Sequence, residues 1–305
     1  MTARGRLPWD LDYTLDPQAV EMLAARSGLA GKVQPLGAGW DYATFTCNGT
    51  VIRVPKRAET AAGLEEEHAL LLGLPALPLT VPRPRSGLER AAGLPYPCML
   101  YPLLDGTPLC DASRTCSPAR LGEVVGGFLR ALHAPGTMRA AGEAAASGEV
   151  FTFTEWNTWT ARTFEEVAPA LAAADVAATR ALLQRPLPPV LAEHVLAHCD
   201  LNDEHILVDA AGEPCAVIDW GDADIAPWWF DFTGLWLWGG DATLEAALDA
   251  AGRMLSADDR LHLGHHALLV AIGELHYALS SAASPRDEPQ ARERFTRALA
   301  FAARG

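Results

Sequence analysis

Apolar and polar positions alternate in two ways along this chain, and the change from one to the other divides it. Residues 17–28 carry apolar side chains at helical spacing, with Asp16 placed to cap them. From Lys32 to Lys56, "KVQPLGAGWDYATFTCNGTVIRVPK", the alternation is strand-like, and the "NGT" at 48–50 predicts a tight hairpin. Residues 61–74 turn helical. A proline-rich extended stretch follows, then a buried-strand run, "YPCMLYPLL" at 96–104, closed by "DGTP".

After Gly106 the pattern changes. Residues 118–133 and 154–184 have helical periodicity, and from Asp231 onward nearly the whole chain does. Between them, 205–209 and 215–219 read as two short strands joined by a turn at "AAGEP". A strand-rich first third before a helix-rich remainder predicts an α+β, two-lobe fold. The boundary falls at 104/105: an N-terminal lobe over 1–104 and a helical C-terminal lobe over 105–305. No internal repeat is visible.

Composition narrows the function classes. The chain has 305 residues and a formal net charge of −14. That charge makes nucleic acid and anionic membrane poor partners and suits a cationic small molecule. No apolar run is long enough to span a bilayer, and the N-terminus lacks a secretory signal. The six cysteines include no CxxC pair, so reduced thiols in a cytoplasmic protein are expected. Monomer and homodimer are both open.

The candidate chemistry concentrates in "HCDLNDEHILVD", residues 198–209, and "VIDWGDAD", residues 217–224. Folding 205–209 against 215–219 brings His205 near Asp219, with Asp200 on the loop before them. An imidazole and a carboxylate at a hairpin mouth can hold a divalent cation that also bridges phosphate oxygens. A further carboxylate outside that pair can accept a proton from a hydroxyl. Asp200 followed by His205, then Asp219-Trp220-Gly221, parallels the catalytic-loop and metal-binding motifs of phosphoryl transfer. His198 is expected to anchor the loop and Cys199 to be a buried thiol. Asp203 and Glu204 are expected to be solvated, and Asp231 to be a cap or loop tie.

Upstream, the other parts of a nucleotide site occur in order. Gly37 and Gly39 lie in a strand–turn–strand setting where backbone N–H groups can approach phosphates. Arg53 or Lys56 supplies a cation, and Glu67 on the next helix can pair with it. Tyr101, Pro102, Leu103 and Leu104 sit where a connector would present its backbone to a base. Pro102 offers only a carbonyl.

These motifs resemble the aminoglycoside phosphotransferase family, antibiotic kinases with a protein-kinase-like fold. The match in "HCDLNDEHILVD" and "VIDWGDAD" is nearest to the 2″-aminoglycoside phosphotransferases, and macrolide 2′-phosphotransferases share the His at position 205. The resemblance implies Asp200 as catalytic base, His205 and Asp219 as Mg²⁺ ligands, and ATP or GTP between the lobes. Arg53 departs from the family's lysine. No activation-loop block is recognisable, which points to a small-molecule acceptor. Asp222, Asp224, Asp241 and Glu274 are the candidate acids for a cationic acceptor, with His276 nearby. Trp228, Trp229, Trp236 and Trp238 either line that site or pack the core. A macrolide or another metabolite as acceptor, or a non-catalytic pseudokinase, are the alternatives.

Overall fold

The computed structural model describes residues 11–38, 41–85, 87–145, 153–280 and 287–304. The first helix, α1 (Pro17–Arg26), starts as expected: the Asp16 carboxylate accepts the Gln18 N–H at 2.9 Å, and Pro17 occupies the first turn. Its buried face packs on a four-stranded antiparallel sheet of order β1-β2-β3-β4. These strands are β1 (Gln34–Ala38), β2 (Tyr42–Cys47), β3 (Thr50–Pro55) and β4 (Met99–Pro102). Asn48 and Gly49 both take positive φ, 47° and 69°, as the two-residue turn between β2 and β3 requires. Every residue of β3 is buried, because α2 (Ala58–Gly73) covers the sheet. That burial encloses Arg53 on β3 and Glu67 on α2.

The rest is mainly helical. After the short β5 (Thr107–Pro108) come α3 (Pro118–Leu132), α4 (Pro135–Ala145), α5 (Thr154–Val167) and α6 (Ala173–Leu183). The helical pattern over 154–184 is not one helix. Pro169 lacks a hydrogen-bonding N–H, and the chain forms a 3₁₀ turn at Ala168–Ala170 before Leu171 becomes extended. Two small antiparallel sheets follow: β6 (His194–Ala197) pairs with β9 (Asp224–Pro227), while β7 (Ile206–Val208) pairs with β5 and with β8 (Pro214–Val217). Three long helices end the chain: α7 (Phe232–Ala251), α8 (Ala257–Ser280) and α9 (Glu288–Arg304). No helix among the described residues is long and apolar enough to cross a membrane.

Trp228, Trp229 and Trp236 are buried in the helical core, and Trp238 is half-buried against it. The helix pair α3–α7 is held close by glycines. A Cβ at Gly126 would sit 2.3 Å from the Ala247 carbonyl oxygen. Gly240, at φ 69°, breaks α7, and Arg297 Nη1 caps the carbonyls of Leu237 and Trp238 that the break releases, at 3.0 and 3.3 Å.

Candidate active site

The loop that follows β6, residues 198–205, is shaped by its own hydrogen bonds. His198 is fully buried; its Nε2 lies 3.0 Å from the Ile218 carbonyl oxygen and its Nδ1 3.3 Å from the Asp200 amide nitrogen. Nε2–H therefore donates and Nδ1 accepts. Burial and the neighbouring His205 push His198 down to about 4, so the ring is a neutral strut. Asp231 ties the loop to α7: its carboxylate accepts the N–H groups of His198 and Cys199, at 3.1 and 2.9 Å, and contacts His133 Nε2 at 2.9 Å. It makes no side-chain cap of α7, so of the two expected roles it takes that of loop tie. Gly234 lets α7 approach, since a Cβ there would lie 2.0 Å from the Leu201 carbonyl oxygen.

The loop delivers two groups, and the turn after β8 brings a third. Asp200 Oδ1 accepts the Asn202 side-chain amide at 2.9 Å, and Oδ2 lies 3.3 Å from His205 Nδ1. Its side chain is 43% open to solvent. Enough protein surrounds it that desolvation pushes it up to about 7; His205 opposes the rise, and Asp222 and Asp219 add to it. His205 Nδ1 donates to the Asp200 carbonyl oxygen at 2.8 Å, which leaves Nε2 facing Asp219 Oδ2 at 3.5 Å. Asp219 follows β8 in left-handed backbone, φ 62°, as does Cys199 at φ 64°. Non-glycine residues take that conformation at a cost, and such strain gathers at working sites.

Across the cleft, Arg53 meets this cluster. Its Nη1 binds Glu67 Oε1, and its Nη2 lies 2.7 Å from Asp219 Oδ1. The guanidinium stacks on the Tyr42 ring, 3.8 Å from the centroid. Burial alone raises Asp219; the cations Arg53 and His205 outweigh it and hold the carboxyl below its usual range. The cation seen bound to Glu67 is Arg53; Lys56, the other candidate, is buried just past the end of β3. Nothing in the linear sequence indicated Tyr42, and Tyr101 was expected only as backbone of the connector; both side chains pack around Arg53, where burial raises their hydroxyls.

Other expected residues fall differently. A Cβ at Gly37 would meet no atom of the described residues within 4 Å, so their packing does not demand glycine there. Gly39 lies outside the described residues. The Leu103 N–H is committed to the Gly49 carbonyl at 2.8 Å, and Tyr101 is buried. Asp222 joins the Asp200 cluster electrostatically, while Asp224 Oδ1 accepts the following amide of Ile225 at 2.7 Å. Asp241 instead accepts the Trp236 indole N–H at 2.8 Å and faces Arg304. Glu274 pairs with Arg294 at 3.1 Å, and His276 with Glu166 at 2.9 Å. The expectation that Asp203 is solvated is wrong: it is 4% exposed and bound to Arg294. Asn-Asp-Glu reads as a surface turn until an arginine from the last helix is placed over it.

The residues present fit a Mg²⁺ ion. The Asp200 carbonyl accepts Nδ1–H and so holds the His205 ring with Nε2 toward Asp219; with that nitrogen deprotonated, the pair is a ligand set oriented from behind. No group of three or more His, Cys, Asp or Glu converges on a metal position among the described residues. Two protein ligands suffice for Mg²⁺, which keeps water and takes phosphate oxygens for the remainder. A cavity of about 670 Å³ lies beside the connector, among Leu103, Gly106, Arg114, Asp209 and Cys215, and includes none of these groups.

The model of the phosphotransferase enzyme family, APH, matches residues 32–264. No curated protein sequence matches the chain. Among solved structures, the GDP and kanamycin complex of APH(2″)-IIIa is 21% identical, covers 95% of this chain and 100% of its own, and superposes with a TM-score of 0.66. Macrolide 2′-phosphotransferase type I is 24% identical over 95% of this chain and 97% of its own, at 0.61. The macrolide 2′-phosphotransferase MphH of Brachybacterium faecium is 24% identical over 92% and 98%, at 0.62. With its β-sheet N-terminal region, its helical C-terminal region and the motifs between them, the chain belongs to the phosphotransferase enzyme family and is a small-molecule kinase of protein-kinase-like fold.

Proposed function

We propose that this kinase moves the γ-phosphoryl group of ATP or GTP to a hydroxyl of a small-molecule acceptor, with Asp200 as the general base and Mg²⁺ held by His205 and Asp219. The observation that carries the reading is the placement of the Asp200 carboxylate beside the His205–Asp219 pair and opposite the Arg53–Glu67 pair. The nucleotide lies between the lobes of 1–104 and 105–305. Its phosphates approach the C-terminal end of β1, at Gly37, and Arg53. Its base meets the connector, where Leu104 rather than Leu103 supplies the N–H.

Asp200 accepts the acceptor's hydroxyl proton on its carboxylate as that oxygen attacks in line. Asn202 and the loop hold the carboxylate still, so little reorganisation is needed at the moment of transfer. When bound, Mg²⁺ supplies neutralisation of charge on the transferring phosphates. Arg53 adds a fixed positive charge on the other side.

The acceptor proposed first is an aminoglycoside, supported by the chain's charge of −14 and by Asp222 beside Asp200. A macrolide is the second reading. It is favoured by Asp241 and Glu274, each engaged by internal partners instead of being left for a polycation. Phosphate transfer from labelled ATP and GTP, measured across aminoglycosides and macrolides, tests both. Transfer to an aminoglycoside supports the first reading, and transfer only to macrolides supports the second. Nucleotide binding with no transfer to any acceptor contradicts both.

A further inference from the structure

The loop that carries Asp200 and His205 is tied to α7 by Asp231 at its start, and a second tie, further along the turn, runs through a residue outside the phosphate-facing groups. Inside the turn, Asn202 binds Asp200, its Oδ1 accepts the Glu204 N–H at 2.8 Å, and its carbonyl accepts the His205 N–H at 3.2 Å. Asp203 points the other way, into the protein. Its carboxylate is bound by Arg294 Nη2 at 2.7 Å, and its carbonyl accepts the Cys110 N–H at 3.0 Å. Arg294, from α9, is 9% exposed, and its Nη1 reaches Glu274 on α8 at 3.1 Å. One guanidinium therefore joins the catalytic loop to two helices.

A buried carboxylate is tolerated when it is paired, and it moves or draws in water when it is not. The planar fork of arginine can serve two carboxylates in fixed directions, which an ammonium cannot. We propose that Arg294 is a positioning residue for phosphoryl transfer. By holding Asp203, it fixes the orientation of the turn whose two ends present Asp200 and His205. This rests on the reading of Asp200 as the general base.

The test compares wild type with R294A, R294K, R294A/D203N and D200N. It measures Mg²⁺-dependent transfer to an acceptor from the panel or to water, together with nucleotide-binding stoichiometry and Kd. Rates are expressed per nucleotide-binding site, so that unfolded protein is not counted. R294A is expected to lower kcat per site at least tenfold while nucleotide Kd stays within threefold. R294K falls between it and wild type. R294A/D203N recovers several-fold over R294A, because the buried negative charge that Arg294 balanced has gone. Should R294A not fold, a threefold or greater loss of kcat per site in R294K at unchanged Kd supports the proposal. A kcat per site within twofold of wild type, in R294A or in R294K if R294A does not fold, overturns it. A total rate that falls only in step with the number of binding sites, as a merely structural role would give, overturns it too. D200N separates the two levels. Full transfer in D200N sinks the general-base reading itself; an inactive D200N beside a fully active R294A sinks the role of Arg294 alone.

Discussion

Arg53 and Asp219 are 166 residues apart in sequence, and Arg53 Nη2 lies 2.7 Å from Asp219 Oδ1. The same guanidinium holds Glu67, so one buried side chain joins the sheet, the helix that covers it, and the motif after β8. A lysine presents a single ammonium and cannot reproduce both in-plane contacts. R53K is therefore expected to keep the fold and raise the nucleotide KM about tenfold, the cost of one charge-assisted hydrogen bond. R53A leaves Glu67 buried and unpaired and is expected to cost about 3–5 kcal/mol of stability. Steady-state kinetics and urea unfolding of the two variants check this.

Two glycines with similar crowding should give different outcomes. A Cβ at Gly126 meets the Ala247 carbonyl at 2.3 Å, in the α3–α7 contact, away from the site. A Cβ at Gly234 meets the Leu201 carbonyl at 2.0 Å, next to Asp200. Both alanine variants are expected to lose about 1–3 kcal/mol, as overpacking does. G234A should also lower kcat of the folded protein at least tenfold, since a misplacement on the order of 1 Å near the chemistry has that effect. G126A should leave the kcat of the folded fraction unchanged. Denaturation midpoints and kcat measured on the same samples separate the two.

Two buried histidines outside the active site should lower stability in mild acid; His198 acts in the same direction, and the raised Asp200 opposes them over the same interval. His265 and His266 on α8 are buried; His265 Nε2 meets Asn157 Oδ1 at 2.7 Å and His266 Nδ1 meets the Thr233 hydroxyl at 2.9 Å. Burial pushes their pKa values down to about 4 and about 3. The unfolded chain protonates them near the ordinary 6.5 while the folded chain does not. The unfolded state then binds more protons, so stability is full above about 7 and is lost as pH falls toward 4. Each histidine contributes a slope of about 1.4 kcal/mol per pH unit over that interval. Urea unfolding at pH 7.5, 6.0 and 5.0 checks the slope, and H265Q should reduce it.

The metal reading gives its own prediction. H205A removes the Nε2 that faces Asp219 and the Nδ1–H bond to the Asp200 carbonyl. It is expected to raise the Mg²⁺ concentration for half-maximal rate about tenfold or more, within the range seen when a metal's surroundings are cut back. An unchanged Mg²⁺ requirement would remove His205 from the metal site.

Much of this arrangement was legible in the chain. The Asn-Gly turn, the order of Arg53, Glu67, Asp200, His205 and Asp219, and the switch from strand to helix all depend on local spacing. Where the sequence misled, the deciding contact came from far away. Asp203 looks solvated because its partner Arg294 lies 91 residues later. Asp241 and Glu274 look available because Trp236 and Arg294 meet them only after the helices pack. Leu103 looks like a donor until Gly49 takes its N–H. A charge in a sequence says what a residue can do, and packing decides which charges are already spoken for.

The most direct test of the central claim is single-turnover transfer by D200N loaded with Mg²⁺ and nucleotide, beside a measurement of nucleotide Kd. Asn keeps the shape of the side chain and removes its ability to take a proton. The account predicts a Kd within about threefold of wild type and a transfer rate lower by a factor of about 10²–10⁴, the usual contribution of a general base. Transfer at the wild-type rate with Asn at position 200 would contradict it.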